Sequence, residues 1–557
     1  MDNDESGVSA KRESDGATRR ELFQIGNALI WPVLLGASAA KGATSGPLTP
    51  GPEIYQSIGV EPVINCRGTF TIIGASVETP ETRAAMEYAA RYFVQYDELA
   101  EGVGRRLAEL TGAEWGMVSA GCAAGLKHVT AACVAGGNPE KLIRIPDLTG
   151  FDKTEVVIPR SSRSVYDHAV RNIGVKIIVV DTAEELADAL SPRTAMVYLT
   201  AGGPSVSGPL SLENVAKLAK PRDIPVLVDA AAENLTIPNV HLQRGATIVA
   251  YSGGKAIRGP QCSGLLLGRK DLLMSAWQAS SPHHGPGRDN KVGREEMLGL
   301  LAAVEAWVKR DHDAEWKKWL AYLDTISKRV SAIEGIETTV REPTGLSNHS
   351  PTLVVSWDSA KLHVIGEEVA EELARTKPRI ALAGGSFGQN RGEPDNGKTS
   401  LSVTAWMMQP GDDKVVAERI YEVLSRKRSP RPEPAAPAMN LSGRWDVNVE
   451  YFSSKSQHVL FLQQDGGRVS GSHKSDFSMR EVQGTIEGGQ IKFRSNGSER
   501  GSGDSVPFIF AGTGSGDAFS GTLYMGEYLT AKFTATRRPY PAGSSTIVLP
   551  GGPPLAN

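Results

Sequence analysis

Cysteine is scarce in this chain. The four cysteines, Cys66, Cys122, Cys133 and Cys262, form no C-x-x-C pair, which argues against a zinc ribbon or a thioredoxin-like redox site and leaves them as ordinary small buried residues. An excess of charge of one sign is also missing. Sixty Lys+Arg stand against 63 Asp+Glu for a net charge of -3, so no global basic field points to nucleic acid or to an anionic membrane surface. Beyond the amino terminus no apolar run is long enough to cross a bilayer, which takes roughly 20 residues. No internal repeat is evident. What is present is length: 557 residues exceed what one core supports, since domains run to roughly 100–200 residues, so several units joined by linkers are expected.

At the amino terminus, Thr18-Arg19-Arg20-Glu21-Leu22-Phe23 precedes a mostly apolar stretch ending at Ala37-Ser38-Ala39, a small-residue cleavage pattern. Residues 1–40 read as a twin-arginine export signal, with a linker over 41–52. That predicts a periplasmic location with no membrane contact in the mature form, or a cytoplasmic one if the signal does not function. A basic arm with a short helix is the alternative reading, because Asn27 and Pro32 interrupt the run.

Residues 53–310 alternate short apolar runs with helical stretches, the pattern of an α/β domain with a mostly parallel sheet. The clearest strands are Lys176 to Val180, Ala195 to Leu199, Ile224 to Val228, Thr247 to Tyr251 and Gly264 to Leu267. Each is nearly continuous in apolar residues, as strands buried on both faces are. Ligands of such sheets sit beyond the carboxyl ends of the strands. A smaller α+β domain follows over 311–427, with a strand at Thr352 to Trp357 and a helix at Asp412 to Leu424 carrying Val415, Val416, Ile420, Val423 and Leu424 on one side. Residues 428–438 are a proline-rich spacer. Residues 439–540 read as an antiparallel β domain, a barrel or a sandwich, and 541–557 as a disordered tail. The opening Leu441-Ser442-Gly443-Arg444-Trp445 looks like the first strand of a lipocalin-like barrel. That domain either holds a ligand, contacts a partner or shields a surface.

Three segments at strand ends carry the chemistry. Ser119-Ala120-Gly121-Cys122-Ala123 opens a helix, Val228-Asp229-Ala230 closes a strand, and Tyr251-Ser252-Gly253-Gly254-Lys255 closes the next. Together they describe a pocket for pyridoxal 5'-phosphate (PLP). Backbone N–H groups of Gly121, Cys122 and Ala123 form an anion site for the cofactor phosphate, helped by the hydroxyl of Ser119 or Ser252. Asp229 is a carboxylate able to keep the pyridine nitrogen protonated, and Lys255 is an amine able to hold the cofactor as a Schiff base and then to move protons. Arg258 either pairs with the phosphate or stabilises the turn. Adjacent His283 and His284 cannot readily present both imidazoles to one ion, so no metal is expected.

Further motifs carry a family resemblance. Ile64-Asn65-Cys66-Arg67-Gly68-Thr69, Val228-Asp229-Ala230-Ala231-Ala232-Glu233 and Ser252-Gly253-Gly254-Lys255-Ala256-Ile257-Arg258-Gly259-Pro260-Gln261 resemble the SelA-like fold-type-I PLP enzymes, among them selenocysteine synthase and D-glucosaminate-6-phosphate ammonia-lyase. The resemblance runs from about Glu53 to Leu424, and it implies an aminotransferase-like fold and a homodimer or higher homo-oligomer. Tyr166-Asp167-His168-Ala169-Val170-Arg171 resembles the ammonia-lyase branch, which implies that His168 lies against the cofactor ring. Arg288 or Arg294, beside Lys291-Val292-Gly293, is a candidate for an anionic substrate group, and Arg379 for a substrate carboxylate.

The expected activity is a lyase acting on an amino acid or amino-sugar acid, with α-proton removal by Lys255, β-elimination and release of ammonia. The chief rival is a selenocysteine synthase-like transferase. The slightly acidic chain, the lack of room for an amino-terminal tRNA-binding domain and export away from tRNA all count against it. Racemase, aldolase and aminotransferase chemistry share the same first step. A non-catalytic binding protein on this scaffold is disfavoured by the intact Lys255 and Asp229.

Overall fold

Short aliphatic runs, too brief for helices and punctuated by glycine and aspartate, assemble into a seven-stranded sheet that frames the first part of the molecule. In chain order the strands are β1 Trp115–Ser119, β2 Glu155–Pro159, β3 Lys176–Val180, β4 Thr194–Thr200, β5 Val226–Asp229, β6 Ile248–Ser252 and β7 Gly264–Gly268. They lie side by side as β1-β7-β6-β5-β4-β2-β3. This is a computed structural model, and it describes residues 46–386, 397–430, 432–496 and 506–539. The export signal read over 1–40 and the tail over 541–557 lie outside the described residues. Among the described residues no helix is long and apolar enough to cross a membrane.

Successive strand residues point to opposite faces, so the unbroken burial of β2, β5 and β7 and the near-unbroken burial of β4 and β6 mean that both faces are covered. β3, at the edge, is half-exposed. The sheet is parallel from β6 to β3 but antiparallel at β7, which pairs with both β6 and β1 in the opposite sense. In sequence β7 looks like its parallel neighbours. Its direction follows from the connection Gly253–Ser263, too short to carry a crossover helix. The carboxyl ends of β1, β5 and β6 therefore still share one edge.

A second, four-stranded antiparallel sheet follows: β8 Glu337–Arg341, β9 Thr352–Asp358, β10 Ala383–Ser386 and β11 Lys398–Thr404, in the order β10-β11-β9-β8. Its core also takes in Cys66, because Ile64–Asn65 pairs in parallel with Ile380–Ala381. The helix Asp412–Leu424 buries Val416, Ile420, Val423 and Leu424. Val415 does not share that face: a step of about 100° from Val416 carries it toward solvent, 37% exposed.

The chain divides into two compact units, the first running to Pro430. In the second, eight antiparallel strands close into a barrel: β12 Gly443–Glu450, β13 Lys455–Asp465, β14 Arg468–Lys474, β15 Met479–Glu487, β16 Gln490–Asn496, β17 Phe508–Ser515, β18 Ala518–Tyr524 and β19 Thr530–Arg538. β19 pairs back onto β12, which removes both sheet edges and decides between barrel and sandwich. Trp445 plugs the interior: its indole N–H donates to the Leu441 carbonyl (2.8 Å) and the Arg537 guanidinium lies 4.4 Å above its ring. The spacer's end is tied to this barrel through Ala435 and Ala438, which bond the backbone of Gly488.

Beside the packed phenylalanines, His473 Nε2 lies 2.9 Å from His458 Nδ1 and His473 Nδ1 lies 2.9 Å from Ser495 Oγ. Burial, then the neighbouring His458 and Arg480, pushes His473 down to about 3. Burial also lowers His458, against Asp476 at 3.8 Å. Both imidazoles are therefore neutral when folded. An unfolded histidine binds its proton near pH 6.5, so the barrel's stability is complete above that pH and declines as pH falls toward His473's folded value. Hydrogen exchange of peptides from β12 to β16, corrected for intrinsic rates, should show loss of protection between neutral pH and about pH 4. In His473→Leu this loss should be smaller, and equal losses would contradict the account.

Candidate active site

Gly121 lies just past the carboxyl end of β1 with φ +95°, a conformation that glycine adopts readily, and its own N–H is used by the Ser119 carbonyl (2.9 Å). Helix Cys122–Ala135 then starts with no side chain capping it, so the N–H groups of Cys122, Ala123 and Ala124 have no intrahelical partner. A Cβ on Gly121 would meet nothing within 4 Å, and Ala123 is exposed. The helix end is thus an open ring of donors at the positive end of a helix dipole, the arrangement that accepts a phosphate. Ser119 is placed differently. Its hydroxyl is fully buried and donates to the carbonyls of Gly121 (2.8 Å) and Gly264 (3.4 Å), so it packs the strand–helix junction instead of facing that opening.

Asp229 ends β5 and is almost completely buried. Its Oδ1 accepts the Ala231 N–H (3.1 Å) and lies 3.7 Å from the Cys122 thiol, while Oδ2 accepts the Tyr198 hydroxyl (2.8 Å). The turn beyond is held by the loop between β8 and β9. Asn348 N–H donates to Ala232, Asn234 N–H to Leu346, and buried Glu233 binds His241 (2.6 Å) and Ser347 (3.3 Å). Burial, followed by the negative charge of Asp229, pushes the Cys122 thiol well up, while Lys255 pulls it down. The thiol thus lies against the carboxylate, and the turn that carries Lys255 follows the strand paired with β5.

Lys255 sits in a tight turn after β6. Its N–H donates to the Ser252 carbonyl (3.3 Å) and its own carbonyl accepts from Arg258 N–H (3.0 Å). Side chains at Gly253 and Gly254 would strike Ser263 Oγ at 2.1 Å and Gln261 Cα at 2.6 Å, so both glycines are needed for the turn to fold back on itself. Ser252 is half-buried on the same edge. Arg258 stabilises this turn: its Nε donates to the Val77 carbonyl (2.9 Å), its guanidinium lies 3.8 Å from Glu315, and its carbonyl accepts from Thr79 and Thr82 (both 3.4 Å).

His168 is exposed at the start of a one-turn helix, with Asp167 fully buried beside it between Arg163 and Arg171. The segment before it is tied to the edge at Thr200, which bonds Ser162. Arg288 is exposed and donates to Ser281 Oγ (3.2 Å). Arg294 closes the end of helix Pro80–Ala89 by donating to the carbonyls of Ala89 (3.0 Å) and Ala90 (3.2 Å). Arg379 commits Nε to the Ala374 carbonyl (2.7 Å) and Nη1 to that of Glu61 (3.1 Å). It lines a cavity of about 390 Å³ with Asn65, Gln409 and Asp412, and neither Asp229 nor Lys255 borders that cavity. His283 is engaged by the Trp277 carbonyl and Asp97.

Tyr198 is the residue that reading the sequence missed. Its signal was a hydroxyl inside the apolar run Ala195 to Leu199: Tyr198 pairs with Leu227 and Thr200 with Asp229, so Tyr198 is the diagonal neighbour of Asp229 on one sheet face.

The cluster fits PLP: open donors for its phosphate, a buried carboxylate for its ring nitrogen and an amine for its aldehyde. Replacing Ala123 by Asp should weaken PLP binding about tenfold or more, measured by absorbance titration, because it sets a negative charge at the helix start. Unchanged affinity would move the phosphate away from that helix.

A family profile described as "Cys/Met metabolism PLP-dependent enzyme" matches residues 62–287. D-glucosaminate-6-phosphate ammonia lyase of Salmonella typhimurium is 31% identical over 301 residues, covering 52% of this chain and 79% of that enzyme. A solved structure of D-glucosaminate-6-phosphate ammonia-lyase, 27% identical, superposes with a TM-score of 0.59 over 68% of this chain and 99% of its own. The 5'-C-glycyluridine monooxygenase-decarboxylase of a Streptomyces species is 29% identical over 66% of this chain and 92% of its own length. With this similarity, the cofactor-fitting edge and the mostly parallel sheet, the chain belongs to the SelA-like family of fold-type-I PLP-dependent enzymes.

Proposed function

We propose that the protein is a PLP-dependent lyase that removes the α-proton of an amino acid or amino-sugar acid, expels a β-substituent and releases ammonia. The observation that carries this reading is the sheet edge that gathers the uncapped helix start at Cys122, the buried Asp229 carboxylate 3.7 Å from the Cys122 thiol, and the Lys255 turn after the adjacent strand, joined to the similarity with an ammonia lyase. When bound, PLP supplies a conjugated ring that accepts the electron pair left as the Cα–H bond breaks. Asp229 supplies the negative charge that keeps the ring nitrogen protonated. The amine of Lys255 takes the α-proton, and the β-substituent departs with its bonding electrons. The enamine product tautomerises, and water converts it to a 2-keto acid and ammonia. Proton transfer by a positioned group contributes about 10² to 10⁴ in rate.

The PLP-loaded protein should release ammonia and a 2-keto acid in equal amounts from at least one compound in a panel of D- and L-amino acids and amino-sugar acids. Lys255→Ala should lower that rate about 100-fold or more. Exchange of the α-proton without ammonia would point to racemase or transferase chemistry. Oxygen uptake with loss of carbon dioxide would point to the chemistry in the name of the Streptomyces relative.

Association as a homodimer or higher homo-oligomer is part of this reading. A cavity of about 570 Å³ lined by Tyr88, Tyr92, Val94, Leu298 and Leu301 opens beside Phe93, which is 98% exposed. Apolar surface of this kind is normally covered by a partner. Phe93→Asp should shift the sedimentation coefficient toward the monomer, and an unchanged value would place the interface elsewhere.

A further inference from the structure

The geometry points to Tyr198 and Cys122 as positioning residues that set, through Asp229, how much positive charge the cofactor's ring nitrogen carries. This rests on the reading of the pocket as a PLP site. The titratable groups to weigh near Asp229 are Tyr198 from β4, Cys122 from the helix after β1 and Lys255 from the turn after β6, the strand paired with β5. Two of them are donors aimed at the carboxylate. The Tyr198 hydroxyl, fully buried, lies 2.8 Å from Oδ2, and the buried Cys122 thiol lies 3.7 Å from Oδ1.

Both groups stay protonated in the folded protein. Burial and the adjacent Asp229 charge move each of them well above its ordinary range. A carboxylate that accepts hydrogen bonds in its charged form holds a proton less tightly. With Tyr198 and Cys122 donating, Asp229 stays an anion and leaves the shared proton on the ring nitrogen. Removing a donor makes Asp229 more basic, so it draws that proton toward itself and the ring loses positive charge. Less positive charge on the ring makes it easier for the nitrogen joining the cofactor to Lys255 to keep its own proton. The midpoint at which the absorbance of the lysine-bound cofactor changes with pH must then rise.

Tyr198 has the geometry to dominate. Its contact is short, its oxygen is the stronger donor, and its ring is locked in the strand, whereas a thiol is a weak donor. Tyr198→Phe removes one oxygen and keeps the packing of the ring.

The test is a pH titration of the absorbance of PLP-loaded wild type, Tyr198→Phe, Cys122→Ala and Cys122→Ser, with PLP affinity measured on each. Tyr198→Phe should raise the midpoint by about half a unit to one unit, a differential effect of about 1 kcal/mol. Cys122→Ala should raise it less, and Cys122→Ser, which restores a donor, should return it toward wild type. A Tyr198→Phe midpoint equal to wild type, with PLP still bound, overturns the proposal. If Tyr198→Phe does not fold, equal midpoints for Cys122→Ala and Cys122→Ser overturn it and a higher value for Ala supports it. Failure of the underlying reading looks different: wild type itself would then bind no PLP and show no titrating band.

Discussion

A carboxylate taken out of water must be matched by donors or it will take up a proton, and Asp229 is matched three times over, by the Tyr198 hydroxyl, the Ala231 N–H and the Cys122 thiol. Much of the first unit's architecture serves that arrangement. β4 and β5 are in a register that brings Tyr198 diagonally to Asp229, the helix after β1 delivers Cys122, and the turn after β5 is fixed by Glu233, His241 and the loop around Ser347. Loops from the four-stranded lobe therefore anchor the same turn that aims the carboxylate, which couples the two lobes of this unit at the site.

The sheet was legible from sequence because strands buried on both faces leave unbroken aliphatic runs, and because one edge of such a sheet gathers their carboxyl ends. That logic groups Gly121, Asp229 and Lys255 without any knowledge of contacts. It could not give direction: β7 carries the same apolar signature as β6 and β5, and only the short Gly253–Ser263 connection makes it antiparallel. Nor could it resolve side-chain orientation. Ser119 and Ser252 offered equal hydroxyls until packing turned the first toward two backbone carbonyls. Arg379 and Arg294 looked like free cations, yet backbone carbonyls far away in sequence take up their guanidinium nitrogens. Tyr198 was hidden because a tyrosine in an apolar strand satisfies the hydrophobic pattern. Only the register with β5 exposes its hydroxyl's purpose.

The barrel follows a different rule. Closure removes its edges, Trp445 and the phenylalanines fill its interior, and the polar atoms left inside, on His458, His473 and Ser495, satisfy one another. An interior so packed makes the barrel a rigid body, while the open donors and the amine lie in the first unit at the edge of its sheet.

The central claim is that Lys255 is the amine that carries the cofactor. Borohydride reduction of the PLP-loaded wild-type protein, followed by peptide mass spectrometry, tests it directly. A phosphopyridoxyl group on the peptide containing Lys255 is the predicted result, and stable modification of a different lysine, or of none, would contradict the account.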